Sequence, residues 1–411
     1  MSGRPGDATI GGESEVSGLD AQRVLVAGAG VAGLEAALAL RALAGDRASV
    51  EVMSPEPLFA YRPAAVAEPF GKGRVRRFPL ARLVGAAGAQ FRHDLLVEVE
   101  DEQKSVRLNS GDTLEYGMLV VAVGARPVEA VPGALTFRGA EDGPALAALL
   151  ERTLAGELRR FVFAVPTDVS WTLPLYELAL LTGEFLMEHL TRGVELVVLT
   201  AEERPLEIFG EAASEAVAQL LTMRGIRLET GRRPLVYRDG KLQLAEGEIA
   251  TDAVVALPRL RGRVIEGLPQ DDRGFIATDE YGRVSGLSDV YAAGDLTQAS
   301  IKQGGIAAQQ ADAVASAIAA ELGAPVQPIP ARPVLRGLLL TGTVPKYLRS
   351  EPGAASQVAS QPLWWPPAKL VGRYLSPFLA EQLGLSASPP QQREGDVAVE
   401  VAIDTHTRTA V

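Results

Sequence analysis

No cysteine occurs anywhere in the 411 residues. That removes disulfides, thiolate metal sites, redox-active cysteine pairs and cysteine nucleophiles together. Histidine is nearly as scarce: His93, His189 and His406 stand far apart. A His-rich metal site and a Ser-His-Asp hydrolase are set aside on that count. No metal is expected, and hard chemistry is assigned to a bound cofactor. No run of about 20 apolar residues is present, so no spanning helix is expected. The opening "MSGRPGDATIGGESEVSGLD" lacks an apolar core and reads as a disordered tail, not a signal peptide. The default location is cytoplasmic. A net charge of −11 argues against nucleic acid as a partner, since binding phosphate backbones needs a basic face.

What is present is an ordinary globular balance, 47% hydrophobic and 22% charged. Forty-two glycines and 27 prolines punctuate the apolar runs, which predicts many elements joined by tight turns. "RVLVAGAG" is a short apolar strand entering a turn, "VAGLEAALALRALAG" a helix, and "ASVEVMS" a second strand. Together they make a parallel crossover unit. "FRHDLLVEVEDEQKSVRLNSGDTLEYG" reads as a β-ribbon. A second crossover unit follows, with its strand at Phe161–Val165, a helix from about Trp171 to His189 and the strand "VELVVLT".

The fold class is therefore α/β, with two Rossmann-like, three-layer dinucleotide-binding domains plus a C-terminal extension. The tail covers 1–20. The first domain is assembled from 21–134 and 286–325, and the second from 135–285. A docking region spans 326–385, and a linker and tail, with an alternating "VAVEVAIDT", span 386–411.

"GAGVAG" sits between the first strand and its helix. Gly28 permits the tight turn, Gly30 lets a phosphate approach the backbone, and Gly33 lets helix pack on strand. Val31 and Ala32 open the helix, whose free N–H groups and dipole favour an anion. The acid expected on the ribose at the end of the second strand is replaced by Ser54, with Glu56 just beyond. Either residue is a candidate ribose partner.

"RVLVAGAGVAGLEAALAL", "LEYGMLVVAVGARP" and "GFIATDEYGRVSGLSDVYAAGD" resemble three successive FAD motifs of the pyridine nucleotide-disulfide oxidoreductase superfamily. Their order and spacing hold over roughly residues 23–322. The resemblance implies bound FAD, with Gly294 and Asp295 at its ribityl chain and pyrophosphate. Ala122, Val123 and Gly124 lie where the chain turns under the cofactor. Val123 and Gly117 depart from commoner threonine and aspartate. "PLFAYRPA", with Arg62 as a cofactor contact, and "IKQGGIAAQQADAVA" look most like the sulfide:quinone oxidoreductase and type II NADH dehydrogenase branch. On that likeness Lys302 and Gln303 face the flavin's pyrimidine end, where positive charge stabilises the reduced form.

The second turn reads Pro166, Thr167, Asp168, Val169, Ser170, Trp171, with no glycine before Gly183. β-Carbons would crowd a pyrophosphate there, Pro166 lacks an N–H, and Asp168 adds like charge. NAD(P)H in the usual mode is disfavoured. Glu177 matches by register a glutamate near the flavin in the type II enzymes, which implies proton handling. Trp171 and Tyr176 are candidates to wall the flavin.

Around Trp364 and Trp365 the basic residues Arg332, Arg336, Lys346, Arg349, Lys369 and Arg373 face one acid, Glu351. Leu370, Val371, Tyr374, Leu375, Phe378 and Leu379 recur at helical spacing, with Pro377 as a kink. Such a stretch suits either peripheral membrane contact or packing on the body or on a second copy. The expected function is electron transfer from a small reductant through FAD to a quinone-like acceptor. The alternatives are an NAD(P)H dehydrogenase with an atypical nicotinamide site and a non-catalytic flavin-binding interaction subunit. A homo-oligomer is left open.

Overall fold

Residues 21–169 and 171–385 are described in the computed structural model. The expected tail, the linker and the "VAVEVAIDT" segment lie outside them.

Two five-stranded parallel sheets organise the chain, as the two crossover patterns predict. In the first, Val290–Ala292, Met118–Val121, Gln22–Ala27, Ala48–Met53 and Gln90–Arg92 lie side by side in that order. These strands are near-continuous apolar runs because both faces are covered. One face carries the helices Val31–Ala44 and Gly304–Glu321. Both expose small residues to the contact, among them Ala36, Ala37, Ala311 and Ala315, all essentially inaccessible. The other face carries the ribbon Leu96–Glu100, Ser105–Leu108 and Thr113–Glu115.

The second sheet repeats the plan. Leu135–Thr136, Ala253–Ala256, Arg160–Val165, Glu195–Thr200 and Arg227–Glu229 are again parallel. Helices Gly143–Leu154, Leu173–Glu188 and Glu211–Met223 cover one face. A ribbon of Pro234–Arg238, Lys241–Leu244 and Glu248–Ala250 covers the other. The units are joined where Ala125–Val128 pairs antiparallel with Arg259–Gly262. Beyond that pair, Ile265, Ile276 and Val284 pack under the first sheet. The stretch expected to close the second domain at 285 thus shares the first unit's core.

The extension is an antiparallel sheet of Leu335–Leu339, Lys346–Ser350 and Gln357–Ala359, followed by an irregular stretch and the helix Leu375–Gln382. Here the periodicity misleads in two ways. Leu370 and Val371 precede the helix and are not part of it. Pro377 falls in the helix's first turn, where its missing N–H is not needed, so it kinks nothing. Leu370, Leu375 and Leu379 are buried in the first unit's core, so the apolar stripe faces inward.

Glu35, buried in the first helix, accepts hydrogen bonds from the Tyr374 and Leu375 amides at 2.8 and 2.7 Å and so anchors the start of that last helix.

Glu51 ties three strands of the first sheet, accepting from Arg23 Nη2 at 2.7 Å and Arg92 Nε at 2.5 Å. Burial pushes its carboxyl up, but the two guanidiniums outweigh burial and hold it below the usual range. A depressed carboxylate stabilises above the unfolded pKa, about 4, and that stability is lost as pH falls through the folded value. Glu51→Gln should therefore cost about 1 kcal/mol at neutral pH, because both arginines are partly solvated. Urea unfolding at pH 7 and again near pH 3 checks this, since the difference between variant and parent should shrink in acid.

Candidate active site

Parallel sheets present ligand sites at the carboxyl ends of their strands. In the first sheet three adjacent strands end in step, with Ala27 and Ala292 both in register with Val121. The residues that follow are Gly28–Gly33, Ala122–Gly124 and Ala293–Asp295. The topology thus brings the three expected cofactor motifs to one edge.

Their glycines differ in what they permit. Gly28 has φ +109°, and a β-carbon there would overlap the Ala122 carbonyl. One on Gly33 would overlap the Gly28 carbonyl oxygen. Both positions are fixed by backbone packing. Gly30 has no atom within 4 Å of its would-be β-carbon, and it starts the helix with no side-chain cap. Open space in front of uncapped amides is what a pyrophosphate requires. Gly294, at φ +83°, packs against Ala32, and its amide donates to Gln310 Oε1 at 2.7 Å. Gly124 adopts φ +69°.

Ser54 is buried beside this edge, its Oγ accepting from the Glu56 amide at 3.1 Å, whereas the Glu56 side chain points to solvent. Asp295 does not cap the following helix. That cap is Gln303, whose Oε1 accepts from the Ile306 amide at 2.9 Å and whose Nε2 donates to the Arg336 carbonyl at 3.2 Å. Gln303 therefore has both ends of its amide engaged by protein. Asp295 lines the main cavity, with burial pushing its carboxyl up and the charges of Lys302 and Arg62 pulling it down. Burial lowers the Lys302 ammonium to about 8 against the opposing pull of Asp295. Lys302 Nζ donates to the Thr297 carbonyl and sits 4.0 Å from the Phe275 ring centroid.

The main cavity, about 840 Å³, lies between the carboxyl edges of the two sheets. Val31, Arg62 and Asp295 line it from the first unit, Asp168 and Trp171 from the second. The second turn has a different backbone from the first: it is left-handed at the third residue past its strand, where the first is left-handed at Gly28, directly past its own. Asp168 holds φ +64°, a left-handed conformation that aspartate tolerates better than most residues. Arg259 Nε donates to the Thr167 carbonyl at 3.1 Å and braces the turn. Trp171 packs on Phe209 with ring centroids 5.8 Å apart. Tyr176, expected as a wall, is instead a core residue whose hydroxyl donates to Glu202 Oε2 at 2.6 Å.

Glu177 lines this cavity with its side chain wholly inaccessible from outside the protein. Its Oε1 accepts from Lys369 Nζ and from the Leu340 amide at 2.9 Å, while its buried Oε2 has no partner among the described residues. Burial pushes the carboxyl up and the Lys369 ammonium down, and each partner opposes the shift of the other. Lys369 is the site residue that the sequence does not single out. It lies 192 positions from Glu177, and its one local signal is a lone cation in the apolar "PPAKLVG".

These features lie on a double dinucleotide-binding fold. The family described as pyridine nucleotide-disulphide oxidoreductase matches residues 22–153 and 180–311, and the chain belongs to it. The matched stretches leave out 154–179, which carries the second turn and Glu177. An NADH dehydrogenase-like protein of Mycobacterium tuberculosis is 29% identical over 302 residues, 67% of this chain and 73% of the relative. An external alternative NAD(P)H-ubiquinone oxidoreductase of Arabidopsis thaliana is 24% identical, covering 70% of this chain and 56% of the relative. Among solved structures, the sulfide:quinone oxidoreductase of Aquifex aeolicus superposes with a TM-score of 0.73 at 20% identity, over 82% of this chain and 87% of that one. The chain is an oxidoreductase of a flavin-dependent family, without a cysteine.

Gly30 separates cofactor binding from folding. Gly30→Val should unfold at the same temperature as flavin-free parent protein, because the new side chain enters open space. It should purify with little or no flavin, read from the visible absorbance. A variant as yellow as the parent would remove the pyrophosphate from this turn.

Proposed function

We propose that the chain binds FAD along the carboxyl edge of the first sheet and passes electrons from a small reductant to a quinone-like acceptor beside the Glu177–Lys369 pair. The residues fit the cofactor: an uncapped helix start at Gly30, close backbone packing at Gly28 and Gly33, and the Asp295 carboxylate facing the cavity. Ser54, Ala122, Val123, Gly124 and Gly294 complete the edge, and Arg62 and Lys302 supply positive charge. When bound, FAD supplies two-electron redox chemistry; the protein supplies binding, orientation and protons.

The observation that carries the reading is the buried Glu177–Lys369 pair on the cavity wall. Reducing a quinone to a quinol takes up protons as well as electrons. Burial draws the affinities of Glu177 and Lys369 toward each other, so a proton shared between Oε1 and Nζ is available at low cost. Lys369 is the partly accessible member of the pair and so the one that meets a bound oxygen, while Glu177 Oε2 is buried without a partner among the described residues. Peripheral membrane contact goes with a quinone acceptor, and Val344, Leu383 and Leu385 stand exposed on the extension that also carries Lys346. No helix among the described residues is long and apolar enough to cross a membrane.

The donor is read from the second turn. Its missing glycines, Pro166 and the charge of Asp168 support a reductant other than NAD(P)H in the usual mode. The relatives named for NADH and NAD(P)H favour a second reading, in which this wall accepts nicotinamide in an atypical pose.

Two measurements test these readings. Anaerobic mixing with NADH or NADPH should leave the flavin oxidised; rapid bleaching by either would select the second reading. Protein reduced with dithionite should be reoxidised by a short-chain ubiquinone, and Glu177→Gln should slow that step about 100-fold at unchanged flavin content. Equal rates would take the proton role from Glu177, and no reoxidation by any quinone would favour the interaction-subunit reading.

A further inference from the structure

A second cavity, about 320 Å³, opens on the other side of the segment that holds Lys369. Lys369 and Leu370 line the main cavity, while Val371, Gly372 and Arg373 line the second. Its apolar walls are Trp364, Trp365 and Pro377. Its charged groups are Arg336, Arg373 and Asp312.

The charges do not cancel. Among the described residues neither the Arg336 nor the Arg373 guanidinium has a hydrogen-bond or ion-pair partner; Arg336 is half-buried, while Arg373 is exposed and lies over the Tyr374 ring, 5.4 Å from its centroid. Arg336 stands opposite Arg349 in the antiparallel register, a like-charge pairing that is unfavourable without a counter-ion. Burial and the Arg349 charge both weaken the Arg336 proton's hold, against the opposing pull of Glu351. Arg349 is answered on one side by Glu351 at 3.0 Å, but its buried Nε has no partner. Asp312 answers Arg373 only in part: burial and the carboxyl of Glu35 push its carboxyl up to about 8 against the opposing pull of the Arg373 charge.

Two buried polar atoms are also unsatisfied. Asp312 Oδ1 and Trp365 Nε1 have no partner among the described residues. Buried polar groups normally find partners, and unmet ones point to a missing ligand or water. The unmet set here is the half-buried Arg336 guanidinium and an indole N–H, which donate, plus one oxygen that accepts, with the exposed Arg373 beside them. A phosphate group on a small hydroxyl-bearing body meets all of them: its oxygens take the donors, and its hydroxyl satisfies Asp312.

We propose that this cavity binds a small hydroxylated phosphate, such as a glycerol phosphate unit, through Arg336, Arg373 and Trp365. The volume suits a group of that size and not a dinucleotide. The unit comes either from a free phosphate ester or from the headgroup of an anionic phospholipid, and the chemistry is the same. Occupancy would brace the stretch that carries Lys369 from its far side.

The test uses the full-length flavin-loaded protein. Calorimetric titration with glycerol 3-phosphate, and sedimentation with phosphatidylcholine vesicles with or without phosphatidylglycerol, separate the two sources. Saturable binding of glycerol 3-phosphate assigns the site to a free ester; sedimentation that requires phosphatidylglycerol assigns it to a lipid. In either case Arg373→Gln and Arg336→Gln should each weaken binding about tenfold or more. Trp365→Phe, which keeps the ring and removes the donor, should weaken it less; it also serves if an arginine variant fails to fold. Absence of both kinds of binding, or affinities unchanged in all three variants, would overturn the proposal.

Discussion

The site depends on one close approach between backbones. The turn after the first strand lies so near the turn after the Met118–Val121 strand that only a glycine at 28 avoids the Ala122 carbonyl. The same turn presses on the following helix, where Gly33 leaves the Gly28 carbonyl room. These contacts hold two strand ends together and leave open space in front of Gly30. The proposed cofactor edge is therefore a consequence of backbone packing, and side chains such as Ser54, Asp295 and Lys302 are added to a shape already set.

The extension is held to that body by side chains accepting or donating to its backbone, not by a shared sheet. Glu35 takes the Tyr374 and Leu375 amides, Tyr61 Oη takes the Leu370 amide at 3.1 Å, Glu177 takes the Leu340 amide, and Gln303 gives to the Arg336 carbonyl. These anchors come from both units of the fold. Buried polar groups satisfied in this way fix a register that apolar packing alone leaves loose. They explain how Lys369, remote in sequence, reaches Glu177 with no flexible arm.

Much of the first unit was legible because its signals are local. A strand, "GAGVAG" and a helix follow one another, and each glycine answers a backbone need that sequence spacing encodes. Glu177 was singled out through its register match to the type II enzymes, and the fold places it at the main cavity. Lys369 was not, because the contact that gives it meaning is created by the fold of the extension. Helical spacing from Leu370 to Leu379 misled for a related reason. Residues buried against a curved core recur at similar intervals whether or not the backbone is helical, and here only Leu375–Gln382 is. Tyr176 was read as a cavity wall from its position near the helix start, but Glu202, 26 residues on, draws its hydroxyl into the core.

The second turn and the extension are best understood together. The Leu173–Glu188 helix begins where a second dinucleotide would present its phosphates, and helix starts attract negative charge. In this chain that end meets the Leu335–Leu339 strand: a β-carbon on Gly337 would crowd Leu173 and Phe209, and Leu338 lines the same cavity. The helix has no acid in its first turn; Glu177, its fifth residue, is the carboxylate at the cavity, balanced by Lys369 from the extension. The turn before it is left-handed at Asp168, three residues past its strand, where the first unit's turn is left-handed at Gly28, directly past its own. On the proposed reading the side-chain-filled turn is one wall of a chamber whose opposite wall the extension brings, and the Glu177–Lys369 pair spans the seam between them.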